Sequence, residues 1–266
     1  PEFLKDVLMN ARSTDSYVAK PDRKAFCCSL SIEELEDGGY NGALAWIRRF
    51  EHETNEKEKP LPKILARRGM HWYELKTDEI ADICTMMNPD NRMFYAKFET
   101  PTFVNQRLIG LRRKKEEDDL DLMLALLNTT LSIFFIEAAG FGRGQCVLDF
   151  NKDSLSRCSM LNPTLLSKKQ ITDIKEKFSA LIARGIVDIE QDLQDPIRQD
   201  FDKTVLRVYG IENYYDTIVN NLRSMRHIRK TAKQNIVMLT QKTETEQYVP
   251  FNETIIGLAA DRGMEN

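Results

Sequence analysis

Histidine is scarce in this chain. His52, His71 and His227 are the three present among 266 residues, and none has a partner at metal-ligand spacing. Zinc-finger patterns and the H-E-x-x-H pair are therefore absent. Cysteine is thin as well: Cys27, Cys28, Cys84, Cys146 and Cys158 are odd in number, and no two bracket a two-residue gap. That spacing supports neither a disulfide framework nor a thiolate metal site, and reduced thiols in a cytoplasmic protein are expected. No run reaches the ~18–20 consecutive apolar residues of a membrane-spanning helix, so no membrane partner is expected. There is no G-x-S-x-G and no P-loop lysine behind a glycine run. Gly140-Phe-Gly-Arg-Gly144 has the spacing of neither a P-loop nor a dinucleotide fingerprint. It also follows a helical pattern, where both of those loops follow a strand. Carboxylates are plentiful but fall mostly on expected helix faces. The chain shows no catalytic constellation, no metal site and no cofactor site of its own. It opens Pro1-Glu2-Phe3 without an initiator methionine and with no basic patch before an apolar core. This start reads as a cloning remnant on an excised piece of something longer.

What is present is enough for a sizeable core, with 42% hydrophobic residues against 30% charged. The net charge of −3 comes from 38 basic and 41 acidic residues that are segregated along the chain. Residues 61–115 and 223–233 are net positive, whereas 1–60, 116–222 and the remaining tail are net negative. Two positive blocks in a mildly acidic chain fit a polyanion-binding face, and equally a pair of solvated faces.

The pattern along the chain divides it into parts. Residues 1–60 read as a helical and linker segment. Ser31 with Glu34 forms a capping box, Gly38-Gly39 is a break, and Leu44, Ile47 and Phe50 share a stripe. Residues 61–165 read as β-rich, with candidate strands at His71–Leu75, Arg92–Lys97 and Phe103–Leu111 and a turn at Asn88–Asn91. Within them Asp119–Glu137 reads as one helix, apolar nearly all round and therefore central, and Gln145–Asp149 as a further strand. Residues 166–235 read as helical: Ser167 with Gln170 caps one helix that Gly185 stops, Asp195-Pro196 opens another, and a last starts near Asn213. Residues 236–266 form a tail of weak periodicity.

Three segments carry more than composition. These are Leu124-Ala-Leu-Leu-Asn-Thr-Thr-Leu-Ser-Ile-Phe-Phe-Ile-Glu137 with the glycine-rich loop behind it; Cys146-Val-Leu-Asp-Phe-Asn-Lys-Asp-Ser-Leu155 with the exit Leu161-Asn-Pro163; and Asp195-Pro-Ile-Arg-Gln-Asp-Phe-Asp-Lys-Thr-Val-Leu-Arg-Val-Tyr-Gly-Ile211. In this order they resemble "LLALLNST", "ALDL-K-DL" and "R-x-x-L/F-D-x-x-V-L-x-x-L-G-L" of the C-terminal target-recognition region of γ-class adenine-N6 DNA methyltransferases. That region is shared by solitary methylases and fused type IIG restriction–modification enzymes. Phe103-Val-Asn-Gln-Arg-Leu-Ile-Gly-Leu111 is similar to the strand pair preceding the leucine helix, so the similarity covers roughly residues 61–230. The methyl-donor loop and the Asn/Asp-Pro-Pro-Tyr/Phe tetrapeptide of that family are missing; Asn88-Pro-Asp and Asn162-Pro-Thr do not match the latter.

The resemblance implies an α+β chain, with a β-rich recognition subdomain packed on a central apolar helix and followed by a helical part. It implies double-stranded DNA as partner, together with a separate catalytic methyltransferase domain. S-adenosylmethionine is expected for the full-length parent and no cofactor for this fragment. The parent would flip adenine into its catalytic domain. For phosphate contact the candidates are Lys63, Arg67, Arg68, Lys97, Arg112, Arg113, Lys114 and Lys115. For base reading they are Arg92, Asn105, Gln106, Arg107 and Arg143. Plainer roles stand beside these: Arg112–Lys115 balance the acidic run Glu116–Asp119, Arg143 caps the preceding helix, and Trp72-Tyr73 is a buried aromatic pair. Arg223, Arg226, Arg229, Lys230 and Lys233 form a second phosphate-contacting edge, a solvated helix end, or a docking surface. Rival readings are a protein-interaction module for an acidic partner, a specificity subunit lacking its spacer helices, and a Mg²⁺-dependent nuclease using scattered carboxylates.

Overall fold

The computed structural model describes residues 2–75, 80–143 and 147–243, with the side chains of Ser13, Arg143 and 232–243 outside that description. The chain is α+β. Strands Leu4–Leu8 (β1), Val18–Ala19 (β2), Arg23–Phe26 (β3), Ile80–Met86 (β4), Tyr95–Val104 (β5) and Leu108–Leu111 (β6) form one mixed sheet. Its order is β3-β1-β5-β4-β6, with β2 also beside β5. β1 and β2 run parallel to β5, and the other pairs are antiparallel. A register shift between Ala81 and Ile83 on β4 curls the sheet, as an extra residue in a ladder does.

Helices Ile32–Asp37 (α1), Asn41–Glu51 (α2) and Leu61–Leu65 (α3) sit on the amino-terminal side. α1 and α2 close a small cluster of Cys28, Leu35, Leu44, Ile47 and Tyr73. Leu120–Leu127 (α4) and Thr130–Ala139 (α5) lie in the main core. A hairpin of Phe141–Arg143 (β7) and Val147–Asp149 (β8) and the short helix Lys152–Ser156 (α6) follow. Lys168–Arg184 (α7), Ile189–Asp192 (α8), Pro196–Val208 (α9) and Tyr215–Thr243 (α10) complete the layer. Among the described residues no single helix is long and apolar enough to cross a membrane.

Local signals hold where they are strongest. Ser31/Glu34 and Ser167/Gln170 both form reciprocal capping boxes, and Asp195 caps α9 in front of Pro196. Gly185 ends α7 at φ +87°, where its α-carbon passes so close to the Asp15 carbonyl that a side chain would collide.

Long-range structure corrects other expectations. The first sixty residues are not only helix and linker, because β1, β2 and β3 belong to the sheet. Strands of two to five residues show too few alternations to stand out. His71–Leu75 is a turn segment, in which Tyr73 is buried and donates its hydroxyl to the Leu30 carbonyl at 2.8 Å. β4 lies in the sheet interior between two neighbours, and its near-continuous burial conceals the two-residue period. Arg92–Lys97 and the start of Phe103–Leu111 belong largely to one strand, β5.

The helix expected over Asp119–Glu137 is two helices bent by 62° at Asn128-Thr129. Thr129 caps α5 through the Ser132 N–H, and Asn128 closes α4. The Asn128 amide, fully buried, binds the Tyr95 backbone as a neighbouring strand would. Its Oδ1 accepts from the Tyr95 N–H and its Nδ2 donates to the Tyr95 carbonyl, each at 2.9 Å. The Asn128 carbonyl in turn accepts from Arg198 on α9. Arg198 donates to the Tyr17 hydroxyl at 3.1 Å and pairs with Asp192 at 2.8 Å and Asp202 at 3.8 Å. The Thr130 N–H donates to Asp202 at 2.9 Å, and its hydroxyl bonds the same carboxylate. The Leu124–Glu137 and Asp195–Ile211 segments thus meet in one buried polar network. Burial pushes the Asp202 carboxyl up to about 6, against the opposing pull of Arg198 and Thr130. Burial also opposes charge on Arg198, but Asp202 and Asp192 outweigh it and hold the guanidinium protonated.

Two predictions follow from this network. Asn128→Ala strands the Tyr95 N–H and carbonyl in the core, so urea unfolding should register a loss of about 3 kcal/mol. The raised Asp202 value means the folded chain holds a proton that the unfolded chain, at an ordinary carboxyl value near 3.8, has released. This contribution is fully present below about pH 4 and lost as pH rises through about 6. Asp202→Asn should therefore gain on the parent chain between pH 4 and pH 7, by up to about 3 kcal/mol. Parallel stability–pH curves for the two proteins would refute this protonation.

Candidate functional site

The β5–β6 turn, Asn105–Arg107, is fixed by backbone chemistry and free at its tips. Asn105 Oδ1 accepts from the Arg107 N–H at 2.9 Å, and the Leu108 N–H donates to the Asn105 carbonyl at 2.8 Å. The Asn105 N–H reaches the Leu8 carbonyl at 3.0 Å, and the Met87 N–H reaches the Arg107 carbonyl at 3.1 Å. Gln106 and Arg107 project into solvent. Asn105 and Gln106 line clefts on both sides. One cleft, of about 800 Å³, is bounded by Arg23, Lys24, Arg67, Met70 and Phe103. The other, of about 480 Å³, is bounded by Arg112, Asn151, Lys152 and Asp153.

The cations differ in what they have left to offer. Among the described residues, Arg23, Lys63, Arg67, Arg68, Arg107, Arg112, Lys114, Lys115 and Lys152 are exposed and make neither an ion pair nor a side-chain hydrogen bond. Arg67 and Arg68 sit in a tight turn that closes on Met70, with Gly69 at φ +73°. Arg92 is committed inside the protein: it donates to the carbonyls of Thr14, at 2.8 Å, and Arg12, and lies 5.8 Å over the Phe94 ring. Lys97 pairs with Asp121. Arg113 pairs with the buried Asp82 at 3.6 Å and with Glu116 at 3.1 Å. Lys114 and Lys115 donate backbone N–H groups to Asp118 while their side chains stay exposed. Arg143 closes β7, and its side chain lies outside the described residues.

The structure therefore gathers Arg67, Asn105, Gln106, Arg107 and Arg112 around one ridge and turns Arg92, Lys97 and Arg113 to internal work. Sequence reasoning missed Arg23 and Lys152. The signals were slight: an Arg23-Lys24 pair inside an acidic segment, and a lysine directly after the Asn151 helix cap. The second basic block proves to be internal over much of its length. Arg226 and Arg229 are buried. Arg229 grips Glu137 through two nitrogens at 2.6 and 3.0 Å, and Arg226 donates to the Asp90 carbonyl at 3.0 Å. Arg223 pairs with Glu190 at 3.7 Å and Lys230 bonds Asn91, while the Lys233 side chain is outside the described residues.

Burial raises the thiols of Cys27, Cys28 and Cys158 and pushes Cys84 up to about 12, away from the thiolate that nucleophilic chemistry requires. Among the described residues no three His, Cys, Asp or Glu side chains are grouped to hold a metal ion. The arrangement suits contact with an anionic, hydrogen-bonding surface.

No family model matches the sequence, and no curated protein matches it. The fold is similar to part of the crystal structure of the type IIG restriction endonuclease BpuSI, with a TM-score of 0.54 at 13% identity. The likeness covers 86% of this chain and 26% of that one. It establishes a shared fold, and this chain spans about a quarter of that protein's length.

The division between internal and free cations is measurable. Arg92→Ala and Arg113→Ala should each lower unfolding stability by about 1–3 kcal/mol: the first removes the donor to the Thr14 and Arg12 carbonyls, and the second leaves the buried Asp82 with the residue-113 N–H but no ion-pair partner. Arg112→Ala should stay within about 0.5 kcal/mol. Equal losses for all three would contradict the assignment.

Proposed function

We propose that this chain recognises double-stranded DNA as the target-recognition part of a bacterial restriction–modification adenine-N6 methyltransferase, in some arrangements fused to a nuclease. The observation that carries the reading is the Asn105–Arg107 ridge, whose polar tips stand between clefts edged by unpaired cations. The likeness of fold to a type IIG restriction endonuclease supports it, as does the meeting of two motif-like segments at Asn128 and Arg198.

On this reading Lys63, Arg67, Arg68, Arg112, Lys114 and Lys115 neutralise phosphates and release counterions. Gln106 and Arg107 meet base edges, and Asn105 holds the turn that presents them. A separate catalytic domain of the cytoplasmic parent binds S-adenosylmethionine and receives the flipped adenine. This part selects the site and grips the duplex around it.

A second reading, a docking module for another protein, draws on one observation. An apolar groove of about 680 Å³ lies between the end of β6, α4 and α6, floored by Leu111, Met123 and Leu155.

Gel shift over a salt series separates the two. A duplex-binding domain should lose affinity steeply with salt, with a log–log slope of roughly −0.9 per phosphate contacted. Joint replacement of Arg112, Lys114 and Lys115 by alanine should shallow that slope by about 2–3 while leaving unfolding unchanged. Capture of a protein partner with no retention of duplex would favour docking instead.

A further inference from the structure

β3 is the last strand on its side of the sheet and, among the described residues, pairs with β1 alone. Its outer edge therefore presents backbone N–H and C=O groups that no neighbouring strand takes up. Proteins commonly guard such an edge with a lysine. Here Lys24 is drawn back toward β1, where its ammonium bonds Asp6, its cross-strand partner.

Successive side chains of a strand point to opposite faces, so Arg23 and Ala25 share one face and Lys24 and Phe26 the other. The core follows this division: Ala25 packs with Val7, Cys27 and Phe103, whereas Phe26 packs with the Leu35 and Tyr73 cluster. A cleft adjoins the strand on each face. The first, of about 800 Å³, is lined by Arg23, Ala25, Phe103 and Arg67, and among the described residues no carboxylate lines it. The second, of about 450 Å³, is lined by Leu4, Phe26, Tyr40 and Trp46. Phe26 and Trp46 stack at 4.3 Å, and Trp46 is 37% exposed. One face beside the edge is thus cationic and the other aromatic.

Backbone chemistry and charge select the occupant of this edge. The phosphodiester backbone of DNA accepts from N–H groups but has no donor for the carbonyls between them. A second copy of the chain would bring another β3, and its Arg23 and Lys24 would meet those of the first with no carboxylate on either strand. An extended polypeptide satisfies donors and acceptors alike, and its alternate side chains reach both faces. Carboxylates suit the face of Arg23 and Arg67, and aromatic rings suit the face of Phe26 and Trp46.

We infer that β3 is a docking edge for an extended segment of a separate protein, in which acidic residues alternate with aromatic ones and which joins the sheet as an added strand. Main-chain bonds to β3 hold the segment, and the two clefts select its side chains. β3 lies outside the region of motif similarity, and the inference does not rest on duplex recognition.

The experiment uses the whole chain and a fluorescein-labelled, end-capped peptide of alternating glutamate and phenylalanine, read by anisotropy. Two further peptides carry backbone N-methyl groups at every second residue, one on the glutamates and one on the phenylalanines. The parent peptide should bind saturably. One methylated peptide should lose about tenfold or more in affinity and the other should bind nearly as the parent does, because a strand bonds its neighbour through alternate residues. Arg23→Glu should weaken binding about tenfold, and a peptide with lysine in place of glutamate should recover affinity for that variant. Trp46→Ala should also weaken binding about tenfold. Circular dichroism melting checks that both variants remain folded. No saturable binding of the parent peptide overturns the inference. So does equal binding of the two methylated peptides, which would leave charge attraction without strand addition. Sedimentation should show the chain unassociated at the concentrations used; self-association that the peptide dissolves would give the edge to a second copy and overturn it as well.

Discussion

A carboxamide acting as a strand fixes this molecule. Tyr95 opens β5, and beyond the end of the short β2 its backbone would face the helical layer without a ladder partner. Asn128 supplies one, with donor and acceptor on a single side chain. To deliver it, the apolar helix must stop at that residue, and it does so by turning 62°. Arg198 then takes the carbonyl freed by the break, and Asp202 takes the N–H at the start of the next helix. The Asn128 carbonyl and the Thr130 N–H are both taken up by α9, while Arg198 Nε stays buried without a partner. The cost of burying charge is offset by the density of these bonds, and removing one partner strands several others.

The same logic explains where the positive charge goes. Glu137, near the end of α5, lies in the core and draws Arg226 and Arg229 of α10 inward. A basic stretch that looks like a binding edge in the sequence becomes a clamp between two helices. Arg92 and Arg113 likewise hold the protein together, one through carbonyls and the other through Asp82. What remains exposed around the β5–β6 turn is a smaller set of cations than composition suggests, concentrated on both sides of one ridge.

Legibility in the sequence follows the range of the interaction. Ser31, Ser167, Asp195 and Gly185 announce helix ends because a cap is settled within four residues. β1 and β2 are not announced, since their stability comes from β5, some eighty to a hundred residues away in the chain, and β3 depends in turn on β1. The break at Asn128 hides inside an apolar run, because the feature that forces it is the backbone of another strand. At the site, charge and turn chemistry point to Arg67, Gln106, Arg107 and Arg112. They do not distinguish these from Arg92, Lys97 or Arg113, since whether a cation is spent depends on carbonyls and carboxylates brought by folding. Arg23 and Lys152 are invisible for the same reason: each is unremarkable until the sheet and α6 place it beside the turn.

The scaffold and the surface therefore obey different constraints. Asn128, Arg198, Asp202 and Glu137 are buried and bonded to other elements, so they cannot change without disturbing the frame. Gln106 and Arg107 are held only through their backbones, by bonds to Asn105, Leu8 and Met87 that leave both side chains uncommitted. Changing those side chains removes no described intramolecular bond. A turn built this way can present different hydrogen-bonding groups on an unchanged frame. The buried network keeps the frame constant enough for a one-residue change at the turn to alter what is contacted without altering how the turn is held.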